Sequence, residues 1–213
     1  MQDLITVEKV AVILNGHIEN YDEIRKAIRD YDLVVAVDGG LNHCIQLNIS
    51  PAWLIGDMDS RDQSSFDKFP MMQKLVFPRD KDHTDSELAI DFLIKKDPKS
   101  ITLFAAFGHR VDHSLGNIIL LSRFPSKVFL ETEREILCVI KNSFELDTIP
   151  GQIISLLPLN GPVEKIFTEG LKWELSDRRF DKEFLGISNE AIANKIRVSV
   201  GSGDLLISIQ KRS

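Results

Sequence analysis

Five short β-rich runs, Val10 to Leu14, Leu33 to Val37, Trp53 to Ile55, Lys74 to Phe77 and Ile101 to Phe104, alternate with helical patterns at 20 to 30, 40 to 47, 62 to 69, 85 to 96 and 113 to 123. This alternation leaves few folds open. Strands buried on both faces read as continuous apolar runs, and parallel neighbours need a crossover connection between them. Strand and helix taking turns through the first half of the chain therefore predict a mostly parallel sheet with flanking helices. After about Pro125 the pattern changes. Glu135 to Ile140, Gln152 to Leu157, Ile196 to Val200 and Leu205 to Ile209 read as short strands, punctuated by Pro150-Gly151, Asn160-Gly161-Pro162 and Gly201-Ser202-Gly203-Asp204 as turns. The expected class is α/β, with an N-terminal parallel-sheet domain over residues 1–125 and a smaller all-β sandwich over residues 126–213.

Composition narrows the function. With 43% hydrophobic and 27% charged residues, the chain can bury a sizeable core, which excludes disorder. A net charge of -6 argues against a broad nucleic-acid or anionic-membrane surface and leaves small molecules as the expected partners. Cys44 and Cys138 are far apart and form no CxxC pair, so neither a disulfide framework nor a structural zinc site is implied. The apolar run at Val10 to Leu14 lacks the basic start and length of a signal peptide, and nothing approaches the roughly 18 apolar residues of a membrane span. A cytoplasmic protein is expected.

The chemistry-bearing residues fall where strands end. Asp38-Gly39-Gly40 follows the second run and Gly56-Asp57-Met58-Asp59-Ser60 the third. Ligands of parallel sheets bind at those carboxyl ends. Two carboxylates about 4 Å apart repel by roughly 4 kcal/mol at an effective dielectric near 20, so a cluster of acids calls for a cation, and magnesium carried with substrate phosphates is the natural one. Each motif also has a plainer reading. Asp38-Gly39-Gly40 can be a tight turn with a capping aspartate, and Gly56 to Ser60 an acidic turn in which Ser60 caps the next helix.

Lys81-Asp82-His83-Thr84-Asp85-Ser86-Glu87 stands directly before an amphipathic helix. Thr84 and Glu87 have the spacing of a capping box, and a helix start also offers unpaired N–H groups to an anion that Lys81 can meet. Capping and phosphate binding are compatible. Gly108-His109-Arg110-Val111-Asp112-His113 follows the fifth run. Arg110 can present a forked donor to phosphate oxygens, and Asp112 can accept a proton or help hold magnesium. His109 and His113 do not read as a zinc pair, because a loop turns into a helix between them and no third soft ligand is evident.

Taken together these stretches resemble the thiamin pyrophosphokinase family, with the four motifs in the family's order. Arg110 to Asn117 continues the last of them, and Thr168-Glu169-Gly170-Leu171-Lys172-Trp173 and Gly186-Ile187-Ser188-Asn189-Glu190 look like its vitamin-binding motifs. The resemblance implies an ATP-binding α/β domain followed by a thiamin-binding β-sandwich, a homodimer, and transfer of pyrophosphate from ATP to thiamin with release of AMP. It further implies Asp57, Asp59 and Asp85 as Mg2+ ligands, and Asp38, Gly39, Gly40 and Thr84 in the nucleotide site. Lys81 and Arg110 would face the phosphates, and Asp112 would orient or deprotonate the thiamin hydroxyl. Trp173, Ser188 and Asn189 would grip the vitamin across the dimer interface. Trp173 by itself would read as a core residue, so its role rests on the resemblance. Ala105 and His109 stand where the family often has glycine. Two other classes compete: a magnesium phosphohydrolase built on Asp57 and Asp59, which leaves the Trp173 and Ser188-Asn189 motifs unexplained, and a non-catalytic thiamin- or nucleotide-binding regulator.

Overall fold

In the computed structural model, which describes residues 7–57, 67–80 and 82–211, β1 (Lys9–Ile13) is buried from Val10 onward. It has a parallel neighbour on each side, β2 (Leu33–Val37) and β5 (Ser100–Phe104). Beyond β2 follow β3 (Trp53–Gly56) and β4 (Gln73–Val76), also parallel, in the order β5-β1-β2-β3-β4. The uninterrupted apolar runs belong to strands covered on both faces, as their composition requires.

The helices between the strands carry their own start and stop signals. The side chain of Asn20 accepts from the N–H groups of Asp22 and Glu23, at 3.0 and 3.3 Å, and so opens α1 (Tyr21–Ile28). Acids in its first turn and bases in its last suit the helix dipole. Ile24 and Ile28 point inward, each contributing about 1.5–3 kcal/mol of burial. α2 (Gly40–Leu47) buries Leu41, Cys44 and Leu47 and ends on Asn48 in the left-handed conformation. α3 (Asp85–Ile94) opens with the expected capping box. It stops short of the expected 96, and the chain turns through left-handed Asp97 ahead of Pro98. α4 (Val111–Leu120) begins two residues before the expected 113, and its last turn tightens into a 3-10 turn at Leu121–Arg123. Residues 62–66 of the helix expected at 62–69, and the expected cap at Ser60, lie outside the described residues.

Two compact units emerge: one reaching to Asn117 and including Glu131–Glu133, the other made of Ile118–Leu130 and Arg134 onward. The second is a pair of β-sheets around one core. One sheet has the order β12-β9-β14-β7-β6, from β6 (Val128–Glu131), β7 (Glu135–Ile140), β9 (Ile153–Pro158), β12 (Gly186–Glu190) and β14 (Leu205–Gln210). The other has the order β11-β10-β13-β8, from β8 (Ser143–Asp147), β10 (Val163–Glu169), β11 (Arg178–Phe180) and β13 (Lys195–Ser199). Cys138, Leu156 and Ile207 of the first sheet meet Ile166, Phe180 and Val198 of the second in a single apolar cluster.

Candidate active site

Strand order fixes the place of the crevice. The chain steps outward from β1 to β4 and then returns to the free edge of β1 to make β5, so the strand order reverses between β1 and β5. Open parallel sheets receive ligands at such a switch point. Two cavities open there, of about 450 and about 410 Å³, with Ala105, Ala106, Gly108 and His109 as a common wall. The larger also takes in Asn15, Asp38, Asp85, Arg110, His113 and Asn117, and the smaller His17, Phe107, Glu131 and Glu133.

Main-chain hydrogen bonds stitch the two loops together: the Gly16 N–H donates to the Ala105 carbonyl at 2.8 Å and the His17 N–H to Phe107 at 2.6 Å. The approach is so close that a β-carbon on Gly16 would strike both carbonyls. Ala105 holds a φ of 52°, in the left-handed region that costs a residue with a β-carbon about 1–2 kcal/mol. A glycine would hold it without that strain, which gives the departure noted in the sequence its physical meaning.

Asp38 also lies in the left-handed region, with a φ of 43°, and its N–H donates to the Ile55 carbonyl at 3.0 Å. Its carboxylate rests over the α-carbon of Gly56. With a φ of 152° and no space for a β-carbon, that position requires glycine twice over. Asp57 follows directly, so two carboxylates leave adjacent strand ends. Gly39 and Gly40 turn β2 into α2 against Asn15 and Ile13. Thr84 and Asp85, at the start of α3, join Asp38 in the wall of the larger cavity. The Thr84 hydroxyl accepts from the Glu87 N–H at 3.2 Å, and the Glu87 carboxylate accepts from the Thr84 N–H at 2.8 Å. Asp59 and Lys81 lie outside the described residues.

These acids are hard oxygen donors, suited to magnesium and not to zinc. Among the described residues no three His, Cys, Asp or Glu side chains gather into a metal-binding group, so Asp38, Asp57 and Asp85 supply donors of the right kind without forming a complete set. His109 precedes α4 and His113 lies within it, as expected of a pair that does not share one helix face.

Arg110 and Asp112 face each other at the start of α4. The guanidinium donates twice, Nε to Oδ1 at 3.2 Å and an Nη to Oδ2 at 2.6 Å, with both side chains exposed. Through that bond Arg110 holds the Asp112 carboxyl below the usual carboxylate range. Asp112 is therefore ionised at neutral pH and is a weak base while paired. A phosphate that draws the guanidinium away raises its basicity.

In the second unit, Trp173 is 56% exposed and so is not a core residue. Its main chain is clamped by Asn189: the Trp173 N–H donates to Oδ1 at 3.1 Å, and Nδ2 donates to the Trp173 carbonyl at 2.8 Å. Asn189 is 8% exposed, and its Oδ1 also accepts from the Glu190 N–H at 2.8 Å. Its amide is thus committed to the backbone. Lys172 lies 4.9 Å from the indole centroid and pairs with Glu190 at 3.2 Å. Ser188 is exposed with a φ of 61°, at a register shift of β12, and its N–H donates to Ser155 Oγ at 3.0 Å. Bulges of this kind re-aim side chains at functional edges.

Sequence reasoning passed over the β1 loop and its supports. Asn15-Gly16 is a turn dipeptide directly after the first strand, a signal open to the same strand-end argument that found Asp38. Glu133, whose Oε1 accepts from the N–H groups of Glu19 and Asn20 at 2.8 and 3.1 Å, carried no local signal, while Asn117, which closes the stretch matched to the family, donates to the Ala106 carbonyl at 2.8 Å.

A parallel sheet with an acid-lined crevice at its switch point, followed by a β-sandwich that displays an aromatic residue, defines an α/β phosphate-handling architecture with an appended ligand-binding module. The family model described as thiamin pyrophosphokinase, catalytic domain, matches residues 24–132, and that described as thiamin pyrophosphokinase, vitamin B1 binding domain, matches residues 139–205. The chain belongs to the thiamin pyrophosphokinase family. It is 28% identical over 193 residues to thiamine pyrophosphokinase of Bacillus subtilis (strain 168), spanning 84% of this chain and 87% of that one. It is 26% identical over 211 residues to thiamine pyrophosphokinase 1 of Oryza sativa subsp. japonica, spanning 85% and 80%. Among solved structures, the thiamin pyrophosphokinase of Geobacillus thermodenitrificans superposes with a TM-score of 0.85 at 25% identity, covering 96% of this chain and 98% of that one. Yeast thiamin pyrophosphokinase superposes with a TM-score of 0.80 at 16% identity over 99% and 89%, a likeness of fold alone.

Proposed function

We propose that the protein transfers the pyrophosphoryl group of ATP to the hydroxyl of thiamin, giving thiamin diphosphate and AMP. The observation that carries this reading is the match of both halves of the chain, in order, to the two parts of one family. The thiamin oxygen attacks the β-phosphorus of ATP, the bond from that phosphorus to the α,β-bridging oxygen breaks, AMP leaves with the electron pair, and the hydroxyl proton is released. Little covalent work is asked of the protein beyond alignment and neutralisation of charge.

The roles are those the family resemblance implies for these residues. Residues 1–125 form the ATP-binding catalytic part and residues 126–213 the thiamin-binding part. Asp57, Asp59 and Asp85 would hold magnesium, which when bound supplies charge neutralisation for the phosphates. Asp38, Gly39, Gly40 and Thr84 shape the nucleotide site, with the start of α3 offering N–H groups to phosphate. Lys81 and Arg110 meet the phosphates. Asp112, released from Arg110 when the guanidinium turns to phosphate, orients the hydroxyl or takes its proton. Trp173 offers an aromatic face to the cationic vitamin, Asn189 fixes that tryptophan, and Ser188 offers the vitamin a hydroxyl. The enzyme works as a cytoplasmic homodimer. Cys44 and Cys138, both buried and in no disulfide, are consistent with a reducing compartment, and no described helix is long and apolar enough to cross a membrane.

Phosphorus NMR of the protein with ATP, magnesium and thiamin tests the activity. AMP with thiamin diphosphate is the expected result. Orthophosphate without thiamin diphosphate would indicate a phosphohydrolase, and tight binding without turnover a regulator. Sedimentation of the purified chain tests the dimer.

A further inference from the structure

The β1 loop, residues 14–20, borders both cavities of the crevice, Asn15 and Gly16 in the larger and His17 to Glu19 in the smaller. Its bonds to Ala105 and Phe107 come from a neighbouring loop, which is itself part of the site wall. A different support comes from α2. His43 Nε2 lies 2.8 Å from the Gly16 carbonyl oxygen, and His43 Nδ1 lies 2.7 Å from the Tyr21 hydroxyl.

The partners fix the proton positions. A carbonyl only accepts, so Nε2 carries the hydrogen and donates to Gly16; in the neutral ring Nδ1 then accepts from the Tyr21 O–H. Burial pushes the His43 pKa down, which favours that neutral ring. Tyr21 begins α1 and His43 sits in α2, so two helices hold one peptide group between them. The other side of that peptide, the His17 N–H, is held by Phe107. The Gly16–His17 peptide is thus fixed from both sides. Asn15, packed against Gly39, lines the larger cavity on a loop anchored at that peptide.

We infer that His43, oriented by Tyr21, is a positioning residue for nucleotide binding: it holds the β1 loop in the conformation that receives ATP without itself touching the nucleotide. The inference rests on the crevice being the ATP site of the activity proposed above. It assigns a role to two residues that are far apart in sequence and that no strand-end argument reaches.

The test compares His43→Leu, His43→Gln and Tyr21→Phe with the wild-type full-length protein, using calorimetric titration of ATP with magnesium and of thiamin, steady-state KM values and thermal melting. A glutamine amide can place a donor near the position of Nε2, whereas leucine cannot. His43→Leu is expected to weaken ATP binding about five- to tenfold, the size of one or two hydrogen bonds, and to leave thiamin binding within about twofold. His43→Gln should recover most of the loss, and Tyr21→Phe should show a smaller loss of the same kind. Unchanged ATP affinity in His43→Leu would overturn the inference. So would equal weakening of ATP and thiamin, unrelieved by glutamine, alongside a fall in melting temperature, since that marks a purely structural role. If the leucine variant does not fold, Tyr21→Phe decides on the same ratio of ATP to thiamin affinity. Wild-type turnover is read separately. A protein that binds ATP but makes no thiamin diphosphate would refute the proposed activity, while the ATP affinity ratio would still decide the role of His43.

Discussion

Asp57 and Trp173 separate loss of function from loss of stability. Asp57 follows the end of β3, next to the end of β2 where Asp38 stands. Asp57→Asn keeps the shape and removes one anionic charge, so turnover should be abolished while the melting temperature holds, because no packing is lost. A large fall in melting temperature would move Asp57 to a structural role. Trp173 leaves more than half of a large apolar surface in water. Trp173→Ala should therefore change stability little, against the about 3–5 kcal/mol of a core aromatic, and weaken thiamin binding by about 1–2 kcal/mol with ATP binding intact. Trp173→Phe should recover part of the affinity; calorimetric titration beside a melting curve would contradict the stacking role if both ligands weakened together. At this scale the acids at strand ends were legible, because they are features of residue type and position, whereas the exposure of Trp173 was not: by itself it reads as a core residue, and only the family resemblance singled it out. Their supports were not. Asn189 reads as a ligand-binding amide until its main-chain partners 16 residues away are seen, and Glu133 reaches back 114 residues to cap a loop. Partnerships of that span depend on tertiary placement, which no local pattern encodes.

Among the elements, α3 shows capping and binding meeting at one helix start. Thr84→Ala removes the acceptor for the Glu87 N–H and leaves Glu87 without its hydroxyl partner, which should cost about 1 kcal/mol of stability. If the same turn receives phosphate, ATP affinity should fall as well, with thiamin affinity unchanged. Thr84→Ser should restore both, since serine keeps the capping oxygen. A stability loss with unaltered ATP affinity in thermal melts and titrations would leave Thr84 as a cap only. The first-half elements were readable because burial on both faces makes β1, β2, β3 and β5 near-continuous apolar runs bounded by helix signals, whereas the edge strand β4, expected to be buried, is largely exposed. Several strands of the second half were not. β8 alternates exposed and half-buried residues, β11 is three residues long, and β12 combines Gly, Ser and Asn with a register shift. Each depends on its antiparallel neighbour more than on its own composition, and β propensity without that neighbour is a weak guide.

For the molecule as a whole, two buried protons set an alkaline limit, one in each unit. The Cys138 thiol lies among the core side chains of β7, and burial pushes its pKa from 9.0 to about 12. The Tyr31 hydroxyl donates to Thr102 Oγ1 at 2.9 Å, and its pKa rises from 10.0 to about 12, chiefly by burial, with the Glu131 charge adding to the shift. In both cases the folded state holds the proton more tightly than the unfolded chain does. Their contribution to stability is therefore complete below pH 9.0 and is lost between there and about pH 12, first through the thiol and then, above 10.0, through the phenol. Melting temperatures should be level across the neutral range and fall steadily once the pH passes that of an unfolded thiol. Cys138→Ala should delay the onset of the fall by about one pH unit, the gap between the two unfolded values, and Tyr31→Phe in the same protein should flatten most of what remains, leaving the more exposed Tyr21. An alkaline fall of the same slope and onset in the double variant would show that other groups set the limit, and that these two protons do not link the stability of the fold to pH.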